Sequence, residues 1–319
     1  MSPVPDMSTD EAREALRQLD SGEVLGATRQ LLLLGDCLLA LARSRTDEAT
    51  LQGAVSAVVE HVAVSRGESS QAVIHGLRSM AAPAITPAAT AGSLPDRIEA
   101  SVGAFRTSLQ AGVASLQRHA TGLLATRTTF LAYDYSSTVS QVLTDLRRSG
   151  SAVTVFLPEA RSLDGGIKYL ADWQGLGIVA HLLPDAALGW ALSQCDIALA
   201  GAETLSLEGG CYNTIGTAVT AHEAHRINVP FYVLSILLKT DPATPTGERV
   251  IPMLDFASTI RLAFEENGEG VEVHGDFPDL DYTPPTVITG IITEAGVLKP
   301  SQIAEATSSM LDTGAPTHA

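Results

Sequence analysis

The sequence predicts an α/β protein in which an N-terminal helical domain precedes a C-terminal, doubly wound and mostly parallel sheet. In the first third of the chain, apolar residues recur every three or four positions, as between Val55 and Val62, which is typical of amphipathic helices. From Thr129 onward, short apolar runs alternate with helix-like segments, which is typical of a parallel sheet covered on both faces. We therefore predict two domains, spanning residues 1–122 and 123–319.

The helical domain is predicted to contain amphipathic helices and one interruption. Helical spacing extends over residues 8–80. Residues 81–96 contain three prolines and little periodicity, so we expect a loop or connector there. Helical spacing then resumes over residues 97–119.

The second domain is predicted from five apolar runs that lack alternation. These are TFLAYD (129–134), AVTVFLP (152–158), GIVAHLLP (177–184), CDIALAGAE (195–203) and VPFYVLS (229–235). In doubly wound sheets, ligands bind beyond the carboxyl ends of the strands. The residues that follow each run are therefore the candidates for a site.

Composition excludes several classes of function. Thirty-six acidic residues against twenty basic ones give a formal charge of −16, which repels nucleic acid and anionic lipid. No apolar run approaches the roughly 20 residues that span a bilayer. The three cysteines are widely spaced without a CxxC pattern, which favours a reducing cytoplasm. We expect a cytoplasmic protein with no nucleic-acid or membrane partner.

The stretch GAETLSLEGGCYNTIGT, residues 201–217, is the first candidate site. The run before it delivers Glu203 to the edge of the sheet, and Asn213 or Thr214 is suited to cap a helix that starts near Ile215. The N-terminus of such a helix favours an anionic ligand. The alternative is an ordinary strand-loop-helix junction, with Cys211 as an inert turn residue.

The second candidate follows the first run, where Asp134, Tyr135, Ser136 and Ser137 come directly after the predicted strand. Asp134 and Glu203 end different strands, so they are expected to face one another across a cleft. Repulsion and partial burial would then leave one carboxyl protonated and the other ionised near neutral pH, as in an acid/base pair. The alternative is that each carboxylate is a cap or a surface acid.

A metal site is the least favoured interpretation. His222 and His225 have i,i+3 spacing with Glu223 between them, but this is not HExxH, and helical ligand pairs need further partners. A solvated helix face explains the pair better. We expect no metal and no cofactor.

Four segments together carry a resemblance to a known superfamily. They are FLAYDYSSTVSQVL (130–143), VFLPEARSLDGG (155–166), DIALAGAETLSLEGGCYNTIGTAVTAHEAHRINVPFYVL (196–234) and LDYTPPTVITGIITEAGVLKPSQ (280–302). In this order they resemble the superfamily that joins the regulatory subunits of eukaryotic translation initiation factor 2B with methylthioribose-1-phosphate isomerase and ribose-1,5-bisphosphate isomerase. The resemblance implies a Rossmann-like C-terminal domain, a cleft beside the helical domain, and dimers or higher assemblies.

The resemblance also implies roles for particular positions. In the isomerase branch, a cysteine after the first strand and an aspartate in a GAD-like motif move protons as a phosphorylated aldose opens to a ketose. The place of the cysteine falls here on Asp134, and the place of the aspartate falls on Glu203. The branch's Asn-Lys pair falls on Asn213 and Thr214. Its later pocket lysine falls on Lys239. Its Arg-Gly-Ala loop falls on Leu25, Gly26 and Ala27.

Four of these positions depart from the isomerase pattern, since Asp134 replaces the cysteine and Glu203 replaces the aspartate. Thr214 and Leu25 replace a lysine and an arginine, and charge-assisted hydrogen bonds are roughly twice as strong as neutral ones. Phosphate affinity is therefore expected to suffer. Arg161 and Lys239 remain as candidate cations.

The interpretation we favour is a divergent aldose-ketose isomerase-like enzyme, of the intramolecular oxidoreductase type, acting on a sugar phosphate or a related small polyol. Asp134 and Glu203 are its candidate catalytic residues. The candidate ligand-binding residues are Gly26, Ala27, Tyr135, Ser136, Ser137, Arg161, Asn213, Thr214 and Lys239. The alternative is a non-catalytic, initiation-factor-2B-like binding or assembly protein. Either form is expected to be a homodimer or a higher homo-oligomer.

Overall fold

The computed structural model of the chain describes residues 9–21, 23–24, 26–44, 47–66, 70–86, 92–241, 251, 253–255 and 274–312. It confirms the predicted α/β class, with helices first and a mostly parallel sheet after them. The helices of the first third are α1 (Asp10–Asp20), α2 (Ala27–Ala42), α3 (Glu48–Arg66), α4 (Gln71–Ile85) and α5 (Leu94–Leu124).

The proline-rich interruption is shorter than the sequence predicted. Helix α4 continues through Pro83 to Ile85, and α5 already begins at Leu94. Pro83 has no N–H for the carbonyl of Ser79 four residues earlier, which normally ends a helix. In this protein the Ser101 hydroxyl of α5 donates to that carbonyl at 3.1 Å, so the orphaned acceptor is satisfied from a neighbouring helix.

The five predicted runs all form strands of one sheet. They are β1 (Thr129–Tyr133), β2 (Thr154–Pro158), β3 (Val179–Leu183), β4 (Ile197–Ala200) and β7 (Phe231–Leu234), which pair in parallel. The helices that alternate with them are α6 (Ser137–Arg148), α7 (Gly165–Asp172), α8 (Leu188–Leu192) and α9 (Thr217–Arg226). Strand order along the sheet is β3, β2, β1, β4, β7, and it then continues with β12 (Gly290–Thr293) and β13 (Gly296–Leu298). The order reverses between β1 and β4, which is where doubly wound sheets bind ligands.

A second, four-stranded sheet was not predicted. Its order is β11 (Leu280–Thr283), β6 (Cys211–Thr214), β5 (Thr204–Ser206) and β8 (Thr240–Asp241). These strands have two to four residues each, too few to show a period-two pattern. The remaining elements are a two-stranded sheet of β9 (Met253–Asp255) and β10 (Asp276–Pro278), and the last described helix, α10 (Ile303–Asp312).

Two buried clusters hold these layers together. One is continuous from the N-terminal helices to one face of the large sheet, and includes Leu34, Phe105, Val155 and Tyr169. The other lies on the opposite face, under α8 and α9. The division of the chain at residue 122 stays a prediction, since α5 crosses that position and ends at Leu124. Across the described residues, no helix is both long and apolar enough to span a bilayer.

Candidate functional site

A cavity of about 120 Å³ lies where β1, β4 and β7 end, beneath the first turn of α2. Ten of the eleven sequence-predicted site residues line it: Gly26, Ala27, Asp134, Tyr135, Ser136, Ser137, Glu203, Asn213, Thr214 and Lys239. The remaining wall includes Thr28, Arg29, Val113, Thr138, Leu163, Lys168, Gly201, Ala202, Leu234, Ser235 and Ile236. The residues that follow separate strands therefore converge on one space.

Asp134 is buried in the cavity and held by hydrogen bonds. It directly follows β1 with a φ of 54°, a conformation that few residues other than glycine adopt. The carboxyl group is buried and accepts a hydrogen bond of 2.6 Å from the Thr214 hydroxyl. Burial raises the pKa of Asp134, while the hydrogen bonds from Thr214 and from the Tyr135 N–H, and the charge of Lys168, oppose that rise. Asp134 is therefore suited to hold a proton.

The loop that carries Asp134 is braced by α7. The buried Tyr169 hydroxyl donates to the Asp134 carbonyl at 2.9 Å and accepts from the Ser136 N–H at 3.0 Å. Gly165 opens α7 against the Asp134 side chain, where a methyl group would overlap Asp134 Oδ1. Glycine at this position lets the helix approach the carboxyl group closely.

Glu203 enters the same cavity from the end of β4. Its N–H donates to the Tyr212 carbonyl at 2.9 Å, which ties the segment to β6. A Cβ on Gly201 would lie 2.8 Å from the Ser136 hydroxyl, so that glycine permits the β4 end to lie against the Asp134 loop. The charge of Glu203 contributes to the raised pKa of Asp134, so the two carboxyl groups are electrostatically coupled.

Among the residues that the structure describes, three cationic side chains line the cavity, and the sequence analysis assigned only one of them to the site. Lys239 was predicted, and its Nζ donates to the Ala202 carbonyl at 2.6 Å. Lys168 of α7 and Arg29 of α2 were missed. Lys168 is one of only three lysines and lies three residues after Gly165, which is the signal that could have found it.

Among the described residues, helix α6 lines the cavity with its N-terminal Ser136 to Thr138, and helix α2 also presents its N-terminus there. The first turn of α2, Gly26 to Arg29, forms part of the wall, and Gly26 takes the N-cap position with a φ of 84° and no side-chain cap. The backbone N–H groups and dipole of a helix N-terminus attract anions. Leu25, the predicted place of the family's arginine, lies outside the described residues.

The helix predicted near Ile215 is present, but the prediction that Asn213 or Thr214 caps it and leaves its N-terminus to an anionic ligand is wrong. Asn213 and Thr214 lie on β6, and α9 begins at Thr217. The N-terminus of α9 is already satisfied, because the carboxylate of Asp281 accepts from the N–H groups of Gly216 at 2.7 Å and Ala218 at 3.1 Å. Burial raises the pKa of Asp281 to about 6. The protein's own acid thus occupies the place predicted for a ligand.

Arg161 does not line this cavity, which corrects its assignment as one of the cavity's cations. It lies in a neighbouring depression with Tyr133, Ser162 and Asp185. The chain turns away there because Asp185 accepts the N–H groups of Ala160 and Arg161 at 2.9 and 3.0 Å. The guanidinium instead pairs with Asp164 at 3.6 Å.

The structure also locates the residues that were considered as a nucleophile or as metal ligands. Cys211 is buried on β6, and burial raises the pKa of its thiol to about 12, which disfavours a nucleophile. His222 and His225 are exposed on α9, as a solvated helix face requires. Within the described part of the chain, no three His, Cys, Asp or Glu side chains are grouped to hold a metal ion.

Residues 27–300 match the sequence profile of the Initiation factor 2 subunit family. One relative, the translation initiation factor eIF2B subunit alpha of Dictyostelium discoideum, is 31% identical over 56% of this chain and 57% of its own length. A second, the methylthioribose-1-phosphate isomerase of Thermotoga petrophila, is 33% identical over 52% of this chain and 49% of its own length. The chain thus spans about half the length of the curated relatives it matches.

The fold is shared with a solved structure of the same group. The translation initiation factor eIF-2B of Pyrococcus horikoshii OT3 superposes with a TM-score of 0.76 and covers 92% of this chain and 98% of its own. The two sequences are only 21% identical, so this likeness concerns the fold alone.

Proposed function

The chain belongs to the Initiation factor 2 subunit family, and within it we propose that this protein is a divergent aldose-ketose isomerase-like enzyme that acts on a sugar phosphate. The observation that carries the proposal is that a buried Asp134, whose pKa is raised by burial, lines one cavity together with Glu203. Its relatives include proteins named as methylthioribose-1-phosphate isomerases, which supports this reaction class.

The proposed chemistry moves one proton between two adjacent carbons. Glu203 takes the proton from C2 of the open-chain aldose while Asp134 gives its proton to the carbonyl oxygen at C1, which forms a neutral enediol. Glu203 then returns a proton to C1, and Asp134 takes the proton from the hydroxyl at C2, which leaves a ketose. Both carboxyl groups end in their starting states, and the raised pKa of Asp134 suits it to the role of acid.

The charge of the cavity supports a phosphorylated substrate. When Asp134 keeps its proton, Glu203 is the remaining carboxyl group in a wall that also carries Arg29, Lys168 and Lys239. The open first turn of α2 adds backbone donors to these cations. Arg29 and Lys168 thus offset the cations lost at Leu25 and Thr214, so the cavity is expected to keep its affinity for phosphate.

The reaction is tested with the wild-type chain in heavy water. Aldose phosphates of five carbons, their unphosphorylated parents and nucleoside monophosphates are incubated with the protein and followed by proton NMR. We expect deuterium at C1 or C2 of a sugar phosphate, together with an aldose-ketose interconversion, and none with the unphosphorylated sugar. Binding of a sugar phosphate without deuterium incorporation would contradict catalysis.

The alternative is a non-catalytic protein that binds a ligand through the same cavity. It is favoured by Glu203 in the GAE motif, which is the form found in the initiation-factor branch, and by the likeness to the eIF2B subunit alpha of Dictyostelium discoideum. This alternative predicts stabilisation against heat by a sugar phosphate with no change in the ligand. The NMR experiment therefore separates the two.

We also propose that the chain forms a homodimer or a higher homo-oligomer through the outer edge of β3. Val179 and Leu182 on this edge strand are 53% and 46% exposed, and Trp190 beside it on α8 is 61% exposed. Residues 173–184 contain no Asp, Glu, Lys or Arg, so two copies of a chain of charge −16 can meet there without placing acidic side chains in direct contact. Long apolar edge strands otherwise invite uncontrolled pairing.

The assembly is measured by light scattering on a sizing column. Wild type is expected to elute with at least twice the mass of one chain, and the double variant Val179→Asp with Leu182→Asp as a monomer. The control is Val64→Asp, on a residue of α3 that is 70% exposed. A monomeric wild type, or an unchanged mass in the double variant, would show that this surface is not the interface.

A cytoplasmic location remains part of the proposal. It is supported by Cys37, Cys195 and Cys211, which are free thiols. Burial raises the pKa of each to about 12, which disfavours the reactive thiolate form.

A further inference from the structure

The segments that leave β7 and β12 run side by side toward the cavity. These strands pair in parallel with Leu234 opposite Ile292, and the N–H of Ser235 donates to the Ile292 carbonyl at 3.1 Å. The first segment continues into a single 3₁₀ turn, Leu237–Lys239, and the second into a turn that contains Glu294. Glu294 and the turn that ends in Lys239 are therefore neighbours by virtue of strand pairing.

Glu294 caps the turn that carries Lys239. Its two carboxylate oxygens both accept from the N–H of Leu237, at 3.0 and 2.9 Å. The first N–H groups of a helical turn have no partner within the turn, and Ile236 at the N-cap position has no side-chain acceptor. Burial raises the pKa of Glu294, and the Leu237 N–H opposes that rise, so the carboxyl group is partly desolvated to make this contact.

Backbone carbonyls hold Lys239 at both ends of the residue. The N–H of Lys239 donates to the Ile236 carbonyl at 3.1 Å, which closes the turn. The Nζ group donates at 2.6 Å to the carbonyl of Ala202, the residue before Glu203. The ammonium group is thus held beside the segment that supplies the proposed base.

Glu294 is itself held by the long helix α5. The Ser115 hydroxyl donates to the Glu294 carbonyl at 3.0 Å, and His119 donates to the Thr293 carbonyl at 3.0 Å. A Cβ on Gly112 would lie 3.8 Å from the Glu294 Cβ, so α5 passes directly over this side chain. The helix that links the two halves of the chain therefore supports the turn of Lys239 through Glu294.

We propose that Glu294 is a positioning residue, which holds the ammonium group of Lys239 at the cavity wall by capping the turn that carries it. Glu294 does not line the cavity and acts only through Lys239. Of the two measurements that test this role, the first uses phosphate binding and therefore rests on the proposed function of the cavity. The second follows the Lys239 side chain without a ligand and does not depend on that function.

The ligand measurement is a double-mutant cycle with inorganic phosphate, followed by calorimetry. Glu294→Ala is expected to weaken phosphate binding about tenfold, in line with the loss of one charge-assisted contact. Glu294→Gln keeps one acceptor oxygen for the Leu237 N–H and is expected to restore most of the affinity. In a Lys239→Met background, Glu294→Ala is expected to have no further effect. An equal loss in both backgrounds would mean a general structural role and would overturn the proposal.

The second measurement needs no ligand. The chain has three lysines, Lys168, Lys239 and Lys299, so acetic anhydride labelling followed by mass spectrometry reports on each separately. In Glu294→Ala the labelling rate of Lys239 is expected to rise severalfold relative to Lys299, and in Glu294→Gln to stay near wild type. If wild type binds no phosphate but this shift is present, the anion site fails and the positioning role stands. If the labelling of Lys239 does not change, the positioning role fails.

Discussion

An Asp134→Asn variant is expected to lose about 10²- to 10⁴-fold in the rate of solvent-deuterium incorporation into a sugar phosphate. Asparagine keeps the size of the side chain and can still accept from the Thr214 hydroxyl, which lies at 2.6 Å from Asp134 Oδ2. It has no proton to give to the substrate carbonyl at neutral pH. The fold is therefore expected to persist while the proton transfer is lost, and proton NMR in heavy water measures this directly.

The pH dependence sharpens this prediction. Burial raises the pKa of Asp134, so the protonated form persists to higher pH than for an ordinary aspartate. Wild-type exchange is expected to fall as the pH rises through that raised pKa, because the acid form is the reactive one. The residual exchange of Asp134→Asn is expected to lack this fall.

The control for this variant is Asp10→Asn, the same change on a carboxylate of α1 that is 94% exposed. It is expected to leave exchange and thermal stability unchanged. An Asp134→Asn protein that turns over at the wild-type rate would remove the acid from the proposed mechanism. Melting temperatures for the three proteins show whether any loss is due to unfolding.

The location of a site residue could be predicted from the sequence when that residue directly follows a strand of the sheet. Asp134 and Glu203 follow apolar runs, and parallel strands bring their carboxyl ends to one edge, so their convergence follows from the predicted sheet without knowledge of how its side chains pack. Arg29 and Lys168 were missed because helices deliver them. Which side of a helix faces a cavity depends on how it packs, and local spacing does not fix that.

The misread helix start shows a second limit. Asn213 and Thr214 are common capping residues, and a glycine turn precedes them, so the local signals favoured a helix. The decisive partners are remote, since β11 pairs with β6 and supplies Asp281 as the cap of α9. Glu294 has the same character, because it caps a turn that lies 57 residues earlier in the chain.

A substitution of Gly165, the first residue of α7, is expected to have the second large effect on proton transfer. Gly165→Ala is expected to lower deuterium incorporation by about 10²-fold or more, because misplacement of a reacting group by about 1 Å costs that much. The added methyl group would overlap Asp134 Oδ1 and lie 2.9 Å from the Tyr135 nitrogen, so the carboxyl group or the start of α7 must move. Exchange by NMR measures the loss, and thermal unfolding measures any cost in stability.

The matched control is Gly122→Ala in α5, where a new Cβ would meet no other atom within 4 Å. Alanine is the better helix former, so this variant is expected to be as stable as wild type or more stable, with full exchange activity. If Gly165→Ala behaves in the same way, the close approach of α7 to Asp134 is not needed for proton transfer. If it loses exchange while its melting temperature stays within a few degrees of wild type, the loss lies in the position of the acid. That outcome would separate the placement of the proton donor from its chemistry, which Asp134→Asn tests.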